Sequence, residues 1–188
     1  MISGNLANVN TNGYKSLRPN FQEILDDMKF TGVHLQSTQR MMQQGNLTPT
    51  ENPLNLAISG DGFFAVELET GEIAYTRDGE FHLDSALNIV NGRGLQLEWE
   101  GEIPENTAEV RVNQDGRVLA LMNDGSGWVE AGTISLYRVQ NPSGLNNYGQ
   151  SLWLPTEISG EITEGVAGTT GYGRIVGYTI ESSNVDVA

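Results

Sequence analysis

Between Pro53 and Asp84 apolar and polar residues alternate with a period of two, and glycine-bearing turns cut the alternation into short runs. Leu54, Leu56 and Ile58 interleave with Asn55, Ala57 and Ser59, the pattern of a strand with one buried face. Gly60-Asp61-Gly62 ends that run, Phe63 to Leu68 resumes it, and Thr70-Gly71 breaks it again. Ile73 to Arg77 makes a third run, which Asp78-Gly79 turns into Phe81-His82-Leu83. A helix of 3.6 residues per turn scatters such a pattern around its circumference, whereas a strand sorts it onto two faces. The stretch is therefore expected to nucleate a small antiparallel sheet, with Gly60, Gly62 and Gly79 as structural turn residues.

The same grammar continues to the end of the chain. Leu87 to Val90 reads as a strand, and Leu95, Leu97 and Trp99 alternate with Gln96, Glu98 and Glu100. Val110 and Val112, Val118 to Met122, a long run from Trp128 to Val139, Leu152 to Leu154, and Arg174 to Ile180 are further strands. Loops are expected at 103–106 and 141–149, and residues 159–173 hold too many glycines for a regular element. Asp-Gly pairs at 61, 78, 115 and 124 supply turns at the spacing of an all-β sandwich or barrel-like domain. Trp99 and Trp128 fall at buried strand positions and Trp153 lies between two leucines, so all three are expected in the core rather than on a sugar-binding platform.

The first 52 residues read differently. Asn5 to Lys15 is dense in asparagine and ends in Asn12-Gly13, a turn-rich connector. Phe21, Ile24, Leu25 and Met28 stand at i, i+3, i+4 and i+7, which predicts a short helix closed by Gly32. A helix of about three turns is marginal alone and must dock on something. Val33 to Gln44 is polar and expected to be extended, and Pro49 and Pro53 keep the lead into the sheet extended. The expected division is a connector with a short helix at 1–52, a single β-rich domain at 53–180, and a return segment at 181–188.

Charge separates the same regions. The formal net charge is −14, yet residues 1–60 hold four acids and four bases, so the excess lies wholly in residues 61–188, with 20 acids against 6 bases. Such a surface repels phosphates, and a nucleic-acid partner is not expected. No run approaches the roughly 20 apolar residues of a membrane span, and the N-terminus shows neither the basic nor the apolar part of a secretory leader. The absence of cysteine excludes disulfides and thiolate chemistry.

Residue chemistry offers no catalytic constellation. Lys15 and Lys29, the two lysines, do not sit in a phosphate-binding loop, and Gly171-x-Gly173-x-x-x-Gly177 has the wrong spacing for a dinucleotide fingerprint. His34 and His82 are isolated, without the companions a metal site needs. No nucleophile elbow surrounds Ser126. Carboxylate pairs suited to glycoside hydrolysis abound in any acidic β domain, and nothing selects one. The expectation is no catalytic residue, no metal, no cofactor and no small-molecule substrate.

Four motifs, in order along the whole chain, resemble bacterial flagellar rod and hook proteins. Asn5-Leu6-Ala7-Asn8-Val9-Asn10-Thr11-Asn12-Gly13-Tyr14-Lys15 resembles that family's N-terminal signature. Leu56 to Phe64 and Tyr75 to Phe81 resemble its two central motifs, and Glu181 to Asp186 the segment leading into its C-terminal helix. Ile134 to Gly149, followed by Gln150-Ser151-Leu152-Trp153, is most similar to the distal rod members. One departure is that the segment before Gly45 is brief where distal rod members carry a longer insertion. The resemblance implies a structural subunit of the basal-body rod, exported without a cleaved signal peptide, crossing the periplasm and transmitting torque from motor to hook and filament. It implies helical assembly with copies of itself, with neighbouring rod proteins, the hook protein and basal-body ring proteins, and no membrane insertion. It also implies that the family's terminal coiled-coil helices lie outside these 188 residues. Contacts are then expected at Asn5, Leu6, Asn8, Asn12, Gly13 and Tyr14, and at Asn184 and Val185 where the chain returns. Other rod or hook subunits are the alternative within the family. A secreted carbohydrate-binding or carbohydrate-cleaving β domain is the alternative outside it.

Overall fold

A computed structural model describes residues 2–26 and 29–186, with side chains described for 3–18 and 40–186. The fold is mainly β. One short helix, α1 (Ile2–Ala7), precedes a long hairpin of β1 (Leu17–Asp26) and β2 (Lys29–Arg40). Then come β3 (Leu47–Pro49), β4 (Leu56–Ser59), β5 (Phe64–Glu67), β6 (Ile73–Thr76), β7 (Phe81–Leu83) and β8 (Ile89–Asn91). A second series follows as β9 (Glu100–Gly101), β10 (Thr107–Val112), β11 (Arg117–Met122), β12 (Gly127–Thr133) and β13 (Ser135–Val139). The chain closes with β14 (Asn146–Gly149), β15 (Leu152–Leu154), β16 (Ile162–Val166), β17 (Arg174–Gly177) and β18 (Thr179–Glu181).

The β5–β6 hairpin is buried on both faces and divides the core in two. Phe64, Val66 and Ala74 point into a large apolar cluster with Leu56, Ile58, Phe81, Ile89, Val118, Ile134, Leu136 and Ile175. Phe63, Ala65 and Tyr75 point the other way, into a smaller cluster with Val139, Leu145 and Trp153. Period-two alternation here sorts apolar residues onto two cores rather than into an inside and an outside. The sheet order is β14-β15-β6-β5, while β10-β11-β12-β9 forms a second four-stranded sheet. Shorter antiparallel pairs complete the body: β17 on β4, β18 on β3, β13 on β16 and β7 on β8. Phe64 and Phe81 meet edge to face with centroids 5.4 Å apart, which ties together the strands that follow the first and third turns of the opening stretch.

Several expectations need correction. The helix over Phe21, Ile24 and Leu25 is instead strand β1, paired antiparallel with β2 from Leu17↔Arg40 to Asp26↔Lys29; Met28 lies outside the described residues. Register shifts fall at Asn20/Phe21 and Glu23/Leu25, and the second leaves Ile24 unpaired, so the spacing of the apolar residues departs from a period of two. Gly32 lies inside β2 and ends nothing. The short helix of this fold is α1, which overlaps the start of what reads as an asparagine-rich loop. The run from Trp128 to Val139 is two strands that split at Ile134, β12 pairing with β11 and β13 with β16. The final strand likewise breaks at Tyr178, which has φ 56°, into β17 and β18 with different partners. The glycine-rich stretch contains β16. Trp153 is buried, but Trp128 is 40% exposed with the Arg111 guanidinium 4.8 Å from its ring centroid.

Candidate functional site

Three passes of the backbone meet beside β4 and β5: residues 13–17, residues 41–46, and the end of β18 with the residues after it. Glu181 stands at the centre, with 0% of its surface exposed. Its Oε1 accepts from Lys15 Nζ at 2.5 Å and from the Gly45 N–H at 2.9 Å, while Oε2 accepts from Arg77 Nη1 at 3.2 Å. Two of the passes thus each contribute a donor to the carboxylate carried by the third, and Arg77, at the end of β6, adds another. Lys15 Nζ also donates to the Gln43 carbonyl at 2.9 Å, and Arg77 Nη2 to the Gly60 carbonyl at 2.7 Å. The Arg77 guanidinium lies 5.4 Å from the Phe63 ring centroid.

Lys15 and Arg77 are as buried as the carboxylate they share. Burial lowers the pKa of both, and Glu181 opposes that shift in both; Asp61 also supports the charge on Arg77. Charges taken out of water hold only while every partner stays in place, since removing one strands the others in a medium that solvates them poorly. In this arrangement one carboxylate joins Lys15, the Gly45 backbone and Arg77. Its chemistry is to fix three lengths of chain.

Around it lies a shell of amide contacts that involves most of the sequence-predicted contact residues. Asn184 Oδ1 accepts the Ser16 N–H at 2.7 Å, and its Nδ2 donates to the Met41 and Gln43 carbonyls at 2.7 and 2.9 Å. The Asn184 N–H donates to the Tyr14 carbonyl at 3.3 Å. Asn5 Nδ2 donates to the Leu17 carbonyl and its Oδ1 accepts the Leu17 N–H, at 2.8 and 2.9 Å; the Tyr14 hydroxyl reaches the same Oδ1 at 3.3 Å. Asn12 Nδ2 donates to Glu80 at 3.0 Å, and Asn8 caps back onto the Gly4 carbonyl within its own turn. The Gly13 N–H donates to the Glu181 carbonyl at 2.8 Å. Gly13 has φ 63°, and a Cβ there would lie 2.5 Å from the Asp78 nitrogen, so no side chain fits. Among the described residues Val185 bonds locally, its N–H donating to Ser183 Oγ. Leu6, 56% exposed on α1, points to solvent.

The turn glycines lie beside this junction. Gly60 and Gly62 have φ of 109° and 136°. Gly79 serves differently: the Leu56 carbonyl occupies the place where a Cβ would be, and the Leu56 N–H donates to the Gly79 carbonyl at 2.8 Å.

Lys15, Arg77 and Glu181 fall within the recognisable motifs, but nothing in the sequence pattern assigns them to one cluster. One signal was present for Arg77, which continues the inward register of Ile73 and Tyr75 at the end of β6. Glu181 is hidden by its neighbour. Hydrophobicity would turn Ile180 inward, yet Thr179 and Glu181 are the buried residues of β18.

Comparison with known proteins decides the family. Residues 57–120 match the flagellar hook protein FlgE/F/G D1 domain. Over the whole chain, the flagellar basal-body rod protein FlgG of Buchnera aphidicola subsp. Acyrthosiphon pisum is 35% identical, with 80% of that protein covered. The chain belongs to the flagellar rod and hook protein family. FlgG of Borreliella burgdorferi is 31% identical, again over the whole chain and 78% of its own length. The hook protein FlgE of Helicobacter pylori matches 51% of the chain at 34% identity but only 16% of its own length. Within the family the chain is most like FlgG, and it is a structural rod subunit of the flagellar basal body. The matched segment 57–120 runs from β4 to β11 and includes Arg77, while Lys15 and Glu181 lie outside it.

Proposed function

We propose that this subunit acts in the distal rod as a passive torsional element, carrying torque from motor to hook and filament. Its work is mechanical and requires no catalytic group, cofactor or small-molecule substrate. The observation that carries the reading is the buried Lys15–Glu181–Arg77 cluster, which ties the entering and leaving ends of the chain to each other and to β6. A subunit that passes torque must hold the segments through which it joins its neighbours at a fixed angle to its body, and hydrogen-bonded charge pairs are directional where apolar packing is not.

On this reading residues 53–180 form the outer body, 1–52 the incoming connector and 181–188 the outgoing one. The subunit joins copies of itself, neighbouring rod proteins, the hook protein and basal-body ring proteins along the periplasm-spanning shaft, after export without a cleaved signal peptide. Leu6, Asn8 and Val185 are the residues of the predicted contact set that the intramolecular clasp leaves most available to neighbours. The test is deletion of the gene followed by electron microscopy of basal bodies. Cells that stop swimming and lack a complete rod and hook are expected. Normal flagella after deletion would refute the role.

A further inference from the structure

The β13–β16 ribbon separates charge. In its antiparallel register Tyr137 opposes Glu164 and Arg138 opposes Thr163. Neighbouring cross-strand pairs project to opposite faces, so Glu164 and Arg138 cannot neutralise each other although one residue step separates them.

One face is acidic. Glu164 stands opposite Tyr137, the Glu98 N–H donates to the carbonyl of Ala65, which pairs with Tyr75, and Glu100 pairs with Thr133 just before β13. After burial, their charges help push the Tyr137 hydroxyl up to about 12. Tyr75 packs on that ring at 5.6 Å and feels Glu164 as well. None of the three glutamates has an ion pair among the described residues.

The other face is a groove with unspent cations. Residues 61–188 hold six arginines, of which Arg93 stands exposed in the turn after β8, away from this ribbon's strands in sequence. Arg77, Arg111 and Arg117 are paired with carboxylates of the same chain. Arg138 and Arg174 have neither an ion pair nor a side-chain hydrogen bond with the described residues, and they flank the loop from Gly168 to Gly173. Cavities of about 240 and 290 Å³ open on either side of Arg138. Arg77 lines the first, and its buried Nε has no hydrogen-bond partner. Asp61 and Glu161 also line these cavities but stand beyond ion-pair distance of Arg138. Arg174 lines a neighbouring cavity with Asp61, Gly168 and Gly171. In a chain of net charge −14, two guanidiniums without an ion pair among the described residues form a receptor for carboxylates.

We propose that this groove receives the Glu98, Glu100 and Glu164 face of a second copy of the chain, with carboxylates of one copy on Arg138 and Arg174 of the next. The contact joins two different faces, so it is heterologous and leaves a free groove and a free acidic face at the ends of any chain of copies. Addition is therefore directional, and the two-faced ribbon gives the assembly its polarity. The inference rests on the self-assembly reading above and names the surfaces that carry it.

Absence of cysteine makes the test clean. Arg138→Cys and Glu164→Cys variants are purified separately, checked for native circular dichroism, and oxidised alone and mixed at high protein concentration and low ionic strength. A disulfide-linked dimer is expected in the mixture only, with its yield lost as salt is raised. Asp124→Cys, on an exposed turn, serves as the collision control and is expected not to link to Arg138→Cys. Dimers from either variant alone would mean a symmetric contact and overturn the proposal. So would equal linking to the control, or no link at all. Motility after gene deletion tests the rod role without depending on this pairing, so the two readings fail separately.

Discussion

The molecule is held in two ways that share almost no physics. Around β5 and β6, two apolar clusters surround a hairpin whose phenylalanines, Phe63 and Phe64, face opposite ways. Where the chain ends meet, one carboxylate, two buried cations and a set of amide bonds replace that packing. Apolar packing depends on area and volume and is indifferent to small rotations, so it makes a body stable without fixing its attachments. Buried ion pairs contribute little net stability because desolvation offsets their attraction, but they fail abruptly when geometry changes. The pairing of the two suggests a division of labour between a core that supplies stability and a junction that supplies alignment.

That division can be broken deliberately. The largest effect is expected from Glu181→Ala, which leaves Lys15 and Arg77 buried without their carboxylate. Loss of one member of a buried charge set costs about 3–5 kcal/mol, and hydrogen exchange should accelerate first at the Gly13 and Gly45 amides that Glu181 receives. If those amides open no earlier than the β5 and β6 amides, junction and core are one unit. Phe64→Ala should cost a similar sum, about 3–5 kcal/mol for a large core truncation, but spread evenly over the protected amides and visible as one cooperative shift in a urea melt. Asn184→Ala removes the side-chain bonds to Ser16, Met41 and Gln43. It is expected to cost about 1–3 kcal/mol, again local to the junction by hydrogen exchange.

The smallest and most specific effect concerns pH. Burial pushes the Asp78 carboxyl up to about 6, in the turn against which Gly13 packs. A carboxyl whose folded pKa exceeds its unfolded one binds its proton more tightly when folded, so stability falls as pH rises from about 4 to about 6 and stays lower above. Asp78→Asn keeps the oxygen that accepts the Glu80 N–H while abolishing that loss. The variant should match the parent near pH 4 and exceed it by about 1 kcal/mol at pH 7, allowing for partial solvent screening. Thermal melts of the pair across this range check it; a constant offset at all pH values would exclude Asp78 as the titrating group.

The core was readable in the sequence because its signal is local. Leu56, Ile58, Phe64, Val66 and Phe81 reveal their strands within a few residues of themselves, and the buried set agrees with the alternation. The β1–β2 hairpin was not readable, because two register shifts disguise its period and its pairing partner lies in a polar segment with no pattern of its own. The junction was invisible for another reason. Lys15, Arg77 and Glu181 belong to motifs recognisable one by one, but no sequence rule says that residues 166 positions apart share a proton donor and acceptor. Trp128 shows the limit of hydrophobicity itself, since a tryptophan in a strand can sit outside with an arginine laid over its ring.

The Gly13 N–H to Glu181 carbonyl bond has a mechanical consequence. A pull applied at residues 13–16 reaches residues 181–184 across this bond, the Asn184 bonds to Tyr14 and Ser16, and the charge cluster behind them. Force can cross the subunit there without descending into the apolar clusters. If the subunit carries torque as proposed, the β body hangs beside the load path like a flange on a shaft and presents its surfaces to neighbours.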